Sequence, residues 1–225
     1  MAKFFNYLTL DNYAAFVCLA AGLYLYLRGR KWLREFVIFL TFCILTEVFI
    51  SFYLVVKYHN NNMLVNYFSF LCTAFYLYLY YGYFSTQPWA RAIKVVIFAW
   101  AGVSIFLLLN SGHTVTNLPY NAGMVLTASL IFVYFYRVLY VEPYRDLTKE
   151  GFFYFSVGLI LFFFTSFPVF VFYDELIMNE NMPRFYLKLL QKGNLFLYGG
   201  YLGFILCPKM RSTAGSSLSE LTRAN

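Results

Sequence analysis

Charged residues are scarce in this chain of 225 residues. Asp, Glu, Lys and Arg make up only 12% of it, whereas 61% of its residues are hydrophobic and its mean hydropathy is +0.63. A soluble domain carries about 25% charged residues. The composition therefore excludes an ordinary soluble domain and favours a protein that lies in a lipid bilayer.

Motifs of catalysis and of metal binding are also lacking. The chain contains no HExxH, no GxSxG and no Gly-rich phosphate loop. Its four cysteines lie within apolar stretches and not at the spacing of metal ligands, and His59 and His113 fall in separate predicted loops. We therefore predict no enzymatic activity, no metal and no cofactor, and we interpret the cysteines as small buried hydrophobic residues.

Long apolar runs are what the chain has in abundance. Most are close to the ~20 residues that an α-helix needs to cross a bilayer, and a run such as 159–164 does not alternate in polarity as a barrel strand would. We predict an all-α fold, a polytopic membrane protein whose residues 1–208 form one bundle of seven transmembrane helices. The predicted helices are residues 12–28, 33–57, 63–84, 89–110, 119–141, 151–173 and 184–207. Residues 209–225, rich in Ser and Thr, are predicted to be a short disordered tail.

Basic residues predict how the bundle is oriented. Twelve Lys and Arg residues fall in the first, third and fifth loops and in the tail, whereas five fall on the opposite side. The positive-inside rule then places the N-terminus outside and the tail in the cytoplasm. The same distribution indicates that the net charge of +7 faces anionic lipid and not nucleic acid. Because the basic residues follow the first run, we predict a retained helix and not a cleaved signal peptide.

Glu47 is the sharpest exception to the apolar pattern, because it lies near the middle of the second predicted helix. A carboxylate at that depth costs about 2.5–3.5 kcal/mol on the insertion scale, so it normally faces the bundle interior and has a partner. Two interpretations stay open, a ligand or proton site and a structural clip between helices. Lys188 and Lys192 share one face of the seventh helix. Lys192, the deeper one, either pairs with Glu47 or attracts an anionic ligand, and Lys188 is expected to extend to the headgroups.

Other side chains predict contacts between helices. Asn66 and Asn194 are candidates for hydrogen bonds across the bundle, and Asn66 is expected to line a site with Glu47. Gly199 and Gly203 form a small-xxx-small pair, which predicts a close helix contact within the protomer or in a homo-oligomer. Pro168 predicts a kink in the sixth helix, either static or a hinge.

The fifth loop is the richest predicted cytoplasmic surface. It carries mixed charge, and its candidate docking residues are Arg137, Tyr144, Arg145 and Lys149. The pattern suits a surface that binds a signalling partner, and it suits an ordinary solvated turn equally well.

Short stretches in several predicted helices carry a resemblance to other proteins. They are Leu45-Thr46-Glu47 leading into Tyr53-Leu54, Asn61-Asn62 with Asn66-Tyr67, Tyr134-Phe135-Tyr136-Arg137, and Gly158-Leu159-Ile160-Leu161-Phe162-Phe163. In these stretches the chain resembles a family of uncharacterised bacterial seven-helix membrane proteins, which are similar in layout to the seven-helix sensor halves of some histidine kinases. The resemblance implies a multi-pass protein of the bacterial inner membrane. Since the chain contains no kinase half, it implies a receptor-like or accessory role.

Three functions stay open at this point. The first is a receptor-like or sensory module that binds a small lipophilic or anionic ligand and acts through a membrane or cytoplasmic partner. The second is an accessory or structural subunit of a bacterial envelope complex, and the third is a small transporter. A receptor or a transporter needs a cavity with convergent polar groups, whereas a subunit needs an apolar flank that binds another protein.

Overall fold

The computed structural model describes residues 8–58, 62–110, 117–141, 146–172 and 183–207. These residues are helical and contain no β-strand, so the all-α class is confirmed for this part of the chain. Both histidines, two of the predicted docking residues (Tyr144 and Arg145) and the predicted disordered tail lie outside the described residues.

Seven long helices occur in the described part of the chain. They are α1 (Leu10–Leu27), α2 (Lys31–Tyr58), α3 (Asn62–Phe84), α4 (Ala90–Asn110), α5 (Asn117–Tyr136), α6 (Gly151–Val171) and α7 (Pro183–Leu206). Two of them change their winding along their length. α2 starts with a 3-10 turn (Lys31–Leu33) and contains a π-helical turn (Leu45–Ile50), while α5 continues into a π-helical turn (Arg137–Val141).

Six of these helices, α1 to α6, are long and apolar enough to cross a membrane. Together they indicate a multi-pass membrane protein. α7 has 24 residues but is more polar in its first half, where Lys188 and Lys192 lie.

The tightest contact between two helices joins α6 to α7, which run antiparallel. A Cβ built on Gly158 would lie 2.6 Å from the Cα of Gly200, so the two backbones touch at this point. Seven residues away in each direction, Thr165 faces Gly193, and Gly151 faces the backbone of α7. Small residues spaced by seven on α6, together with Gly193 and Gly200 on α7, therefore let the two helices approach closely.

The structure places the predicted pair of Gly199 and Gly203 on different faces of α7, and a contact of Gly199 in a homo-oligomer stays a prediction. Gly203 faces α6, where an added Cβ would lie 2.6 Å from the Cβ of Tyr154. Gly199 is exposed and has no atom within 4 Å of such a Cβ. Because successive residues point about 100° apart around a helix, it is Gly200 and not Gly199 that faces α6.

Aromatic side chains fill the centre of the bundle. Phe39 of α2 stacks on Phe75 of α3 with ring centroids 3.9 Å apart, and Phe155 of α6 stacks on Tyr201 of α7 at 5.8 Å. Two hydroxyl pairs satisfy the polar ends of buried tyrosines: Tyr76 with Tyr201 and Tyr80 with Ser156, each at 2.7 Å. Buried tyrosines normally find such partners, so these rings hold α2, α3, α6 and α7 together around one core.

α4 lies at the periphery of the bundle, where it packs on α3 and α5. Only 22% of its span is buried. One polar contact fixes it to α5, since the indole N–H of Trp100 donates a hydrogen bond of 3.0 Å to the carbonyl of Pro119. An open apolar groove of about 590 Å³ runs between α4 and α5 and is lined by residues such as Val103 and Leu126.

Candidate functional site

The π-helical turn of α2 positions Glu47. Such turns insert an extra residue into a helix and are frequent at functional sites. Within the turn, Thr46 and Val48 are buried, whereas Leu45 and Phe49 are exposed. Glu47 lies between these two faces and is half-buried. Glu47 is therefore placed where the buried face of α2 meets its exposed face.

Tyr198 of α7 is the hydrogen-bond partner of Glu47. Its hydroxyl donates to Oε2 of the carboxylate at 3.1 Å, and the tyrosine itself is only 6% exposed. The bond joins the middle of α2 to α7. A carboxylate that accepts a hydrogen bond from a neighbouring helix is the usual arrangement for an acidic residue at membrane depth.

A second carboxylate, that of Asp11, lies in the first turn of α1. It is 5% exposed, and it interacts electrostatically with Glu47. Asn194 of α7 donates a hydrogen bond of 2.8 Å to its Oδ2, and the hydroxyl of Thr9 donates to its Oδ1. The positive end of the α1 dipole stabilises a negative charge at this position. Asp11, Glu47, Asn194 and Tyr198 thus form one polar cluster that joins α1, α2 and α7.

The structure does not form the predicted pair between Glu47 and Lys192. Both Lys188 and Lys192 are exposed. They share one face of α7 as their spacing predicts, but the neighbouring Gly193 is the residue that faces the bundle. Lys192 therefore lies on the face of α7 away from the polar cluster, and the carboxyl group of Glu47 is met by a hydroxyl instead.

Asn66 lies elsewhere in the bundle and does not line the polar cluster. It is 6% exposed and borders a small cavity between α3, α5 and α6, together with Ser69, Tyr120 and Phe170. The cavity volume is about 10 Å³, which is close to the minimum for one water molecule. Glu47, Lys192 and Asn66 therefore do not share one site. Glu47 belongs to the polar cluster, whereas Asn66 borders a separate small cavity.

The fifth loop is described only in part. Lys149 forms an ion pair of 2.7 Å with Asp146, whose carboxylate also accepts hydrogen bonds from Thr148. The Lys149 ammonium and these hydrogen bonds hold the pKa of Asp146 below its usual range. Arg137 is half-buried in the π-helical turn after α5. Its role in docking a partner stays a prediction. Pro168 lies in α6 three residues before the helix ends at Val171, and the predicted kink stays a prediction as well.

Sequence reasoning did not single out Asp11, Tyr198 or Arg30 as contact residues. Nη1 of Arg30 lies 3.1, 3.2 and 3.1 Å from the carbonyl oxygens of Ile205, Leu206 and Cys207 at the end of α7, so its two N–H groups are shared among three acceptors. Helix ends leave such carbonyls without partners, and a cation there also meets the negative end of the dipole. A signal existed for Asp11, since it directly precedes the first apolar run, but the tyrosine and the arginine look like ordinary interfacial residues in the sequence.

The polar cluster contains two carboxyl groups, one amide and one phenol hydroxyl. Among the described residues, no three His, Cys, Asp or Glu side chains converge to hold a metal. Six apolar helices indicate a multi-pass helical membrane protein, and the cluster places two carboxylates between α1, α2 and α7. Comparisons with models of protein families, with curated proteins and with solved structures found no match.

Proposed function

We propose that this protein is a receptor-like module of the bacterial inner membrane. In this proposal all seven helices cross the bilayer, with the N-terminus outside and the tail in the cytoplasm. The support for this orientation is the count of twelve basic residues on the tail side against five on the other. The length of α7, 24 residues, is sufficient for a crossing.

The polar cluster is the proposed ligand site, and the placement of Glu47 is the observation that carries the proposal. Glu47 is half-buried on a π-helical turn, and Asp11 adds a second negative charge nearby. The groups that meet these carboxylates are neutral donors, Tyr198 and Asn194. Two carboxylates met by neutral groups attract a cation, so the expected ligand is a small amphipathic cation. This replaces the anionic ligand that the lysines of α7 favoured.

α7 is the proposed route from the site to a partner. Asn194 and Tyr198 lie in the cluster, and the same helix ends at the carbonyls that Arg30 holds. A shift of α7 at the site would therefore change its contact with the α1–α2 turn at the opposite end. A signalling protein that binds this end or the fifth loop would read that change.

The test measures the unfolding midpoint of the purified full-length protein with two probes, hexylammonium chloride and sodium hexanoate. A ligand that binds only the folded state stabilises it as its concentration rises. We expect hexylammonium, but not hexanoate, to raise the midpoint in a saturable manner. Glu47→Gln is expected to abolish this response.

Glu35→Gln is the matched control. Glu35 lies on the same helix as Glu47 and also accepts a hydrogen bond from a tyrosine, from Tyr78 at 3.0 Å, but it is exposed at the opposite end. This variant is expected to keep the response to hexylammonium. Equal responses in wild type and Glu47→Gln, or equal loss in both variants, would contradict the proposal.

The groove between α4 and α5 favours a second candidate function, that of an accessory subunit. Val103 borders the groove and is 61% exposed, on a helix that packs little against its own bundle. A photo-cross-linking amino acid at Val103 would form one discrete protein adduct in native membranes if a partner helix lies there. The control position is Ile38 on α2, which is 59% exposed. Identical adducts from both positions, or none from either, would contradict this function.

A further inference from the structure

The turn between α1 and α2 presents a dense group of cations. Arg28, Arg30, Lys31 and Arg34 lie within seven residues, with Glu35 as the one nearby carboxylate of this segment. Three of the cations, Arg28, Lys31 and Arg34, are exposed, and we call them the basic turn. Since α1 and α2 are both candidate membrane spans, this short connection lies at a membrane surface.

The backbone of the basic turn is held in place. Gly29 has a φ of +102°, a conformation that side chains rarely adopt, and it reverses the chain between the two helices. Arg30 donates hydrogen bonds to the carbonyls at the end of α7 and is half-buried. The turn is thereby tied to α7, and the remaining three cations point outward from a fixed base.

Aromatic rings support two of the exposed cations. The guanidinium of Arg28 lies 4.8 Å from the ring centroid of Tyr24, and the ammonium of Lys31 lies 5.3 Å from that of Tyr26. Tyrosine rings are enriched at the depth of the lipid headgroups. These contacts therefore keep both cations at the depth where headgroup phosphates occur.

Two carboxylates at this end of the bundle, those of Glu35 and Asp146, have partners outside the basic turn. Glu35 accepts its hydrogen bond from Tyr78 of α3 and forms no ion pair with a cation of the turn among the described residues. The carboxylate of Asp146, at the same end of the bundle, is already paired with Lys149. The positive charge of the turn is thus available to an external anion.

We propose that the basic turn binds the phosphate group of an anionic phospholipid in the leaflet on its side of the membrane. Arginine and lysine are the usual partners of phosphate, arginine through two parallel hydrogen bonds. An anionic headgroup would lie beside Arg28 and Lys31, with its acyl chains along the exposed surfaces of α1 and α2. The bound lipid would fix the turn that already contacts α7.

Native mass spectrometry of the full-length protein in detergent tests this proposal. The probes are phosphatidylglycerol and phosphatidylcholine with identical acyl chains. We expect wild-type protein to bind phosphatidylglycerol preferentially. The double variant Arg28→Gln/Lys31→Gln is expected to lose roughly 25-fold in affinity for it, at about fivefold for each charge removed.

A matched control removes one arginine and one lysine from the same end of the bundle. Arg91 and Lys94 lie in the first turns of α4 and are both exposed. Arg91→Gln/Lys94→Gln is expected to keep the preference for phosphatidylglycerol to within about twofold, because these cations lie on α4, which packs on α3 and α5, and not on the helices that flank the basic turn. The unfolding midpoints of both double variants are measured in parallel, so that a folding defect is recognised.

The outcomes separate lipid binding from other effects. A loss confined to Arg28→Gln/Lys31→Gln supports the proposal, as does retention of binding in Arg28→Lys. Equal losses in both double variants would show an effect of net charge alone and would overturn it. Displacement of the lipid by excess inorganic phosphate would show a site for free phosphate. Equal binding of phosphatidylglycerol and phosphatidylcholine by the wild type would show that the turn has no site for an anionic lipid. Either result overturns the proposal.

Discussion

Gly200→Ala tests the close contact of α6 and α7, because it adds one methyl group where the two backbones touch. The added carbon would lie 2.7 Å from the Cα of Gly158 and 2.8 Å from the carbonyl oxygen of Tyr154. Non-bonded carbon atoms meet at about 3.5–4.0 Å, so the helices would have to separate by about 1 Å. Both obstructing atoms belong to the backbone, so no side-chain rotation relieves the contact. We expect the free energy of unfolding to fall by about 1–3 kcal/mol.

Gly199→Ala is the matched control, one residue away on the same helix. Its added carbon meets no atom within 4 Å, because this face of α7 is exposed. Alanine also favours a helix over glycine by up to about 1 kcal/mol. We therefore expect this variant to be neutral or slightly more stable than the wild type.

The assay is unfolding of the purified protein in mixed micelles as the fraction of sodium dodecyl sulfate rises, followed by tryptophan fluorescence. The chain has three tryptophans, and the unfolding free energies of the two variants are compared with that of the wild type. The reasoning is refuted if Gly200→Ala is as stable as Gly199→Ala. It is also refuted if both variants are destabilised equally, since a general intolerance of α7 to substitution would then explain the result.

Three further predictions concern single contacts. Arg30→Ala is expected to lower the unfolding free energy by about 2 kcal/mol and to speed amide exchange at the end of α7, because it removes a charged donor from three carbonyls. The control Arg28→Ala should lower it by less than about 1 kcal/mol. Equal losses in the two variants would contradict the role of Arg30 at the end of α7. Trp100→Phe loses the hydrogen bond to α5, so we expect a loss of about 1 kcal/mol in the same assay, and an unchanged midpoint would argue against it. Asp146 has a lowered pKa because of Lys149 and its hydrogen bonds, so its contribution is present at neutral pH and is lost as the pH falls through that lowered value. The protection of the Thr148 amide, measured against its intrinsic exchange rate at each pH, should therefore fall in acid in the wild type but not in Asp146→Asn.

The positions of the helices could be predicted because hydrophobicity is a local property of the chain. A run of about 20 apolar residues must form hydrogen bonds within itself wherever it lies in a bilayer. The Pro183–Leu206 helix and the others therefore follow the apolar stretches without any knowledge of their packing. The 3-10 and π-helical turns within α2 were not predicted, since they depend on how neighbouring helices pack against it.

The candidate site was only partly predictable. Glu47 was recognised because a carboxylate within an apolar run is costly and needs a partner. Its partner, Tyr198, was not recognised. Spacing along α7 gives the directions of its residues relative to one another, but it does not say which face of α7 meets α2. Lys192 and Tyr198 were both available, and the packing of α7 on α6 through Gly193 and Gly200 turned the tyrosine inward and the lysine outward.

The sequence alone determined a helical, apolar chain with its basic residues concentrated in alternate loops, because these properties depend on composition and on short-range order. Only the tertiary structure decided the rest. It brought Asp11 to Asn194, 183 positions away along the chain, and it joined Arg30 to the end of α7. Such contacts depend on how each helix is rotated about its axis. That rotation is set by which small residues allow two backbones to touch and which aromatic rings fill the space that remains.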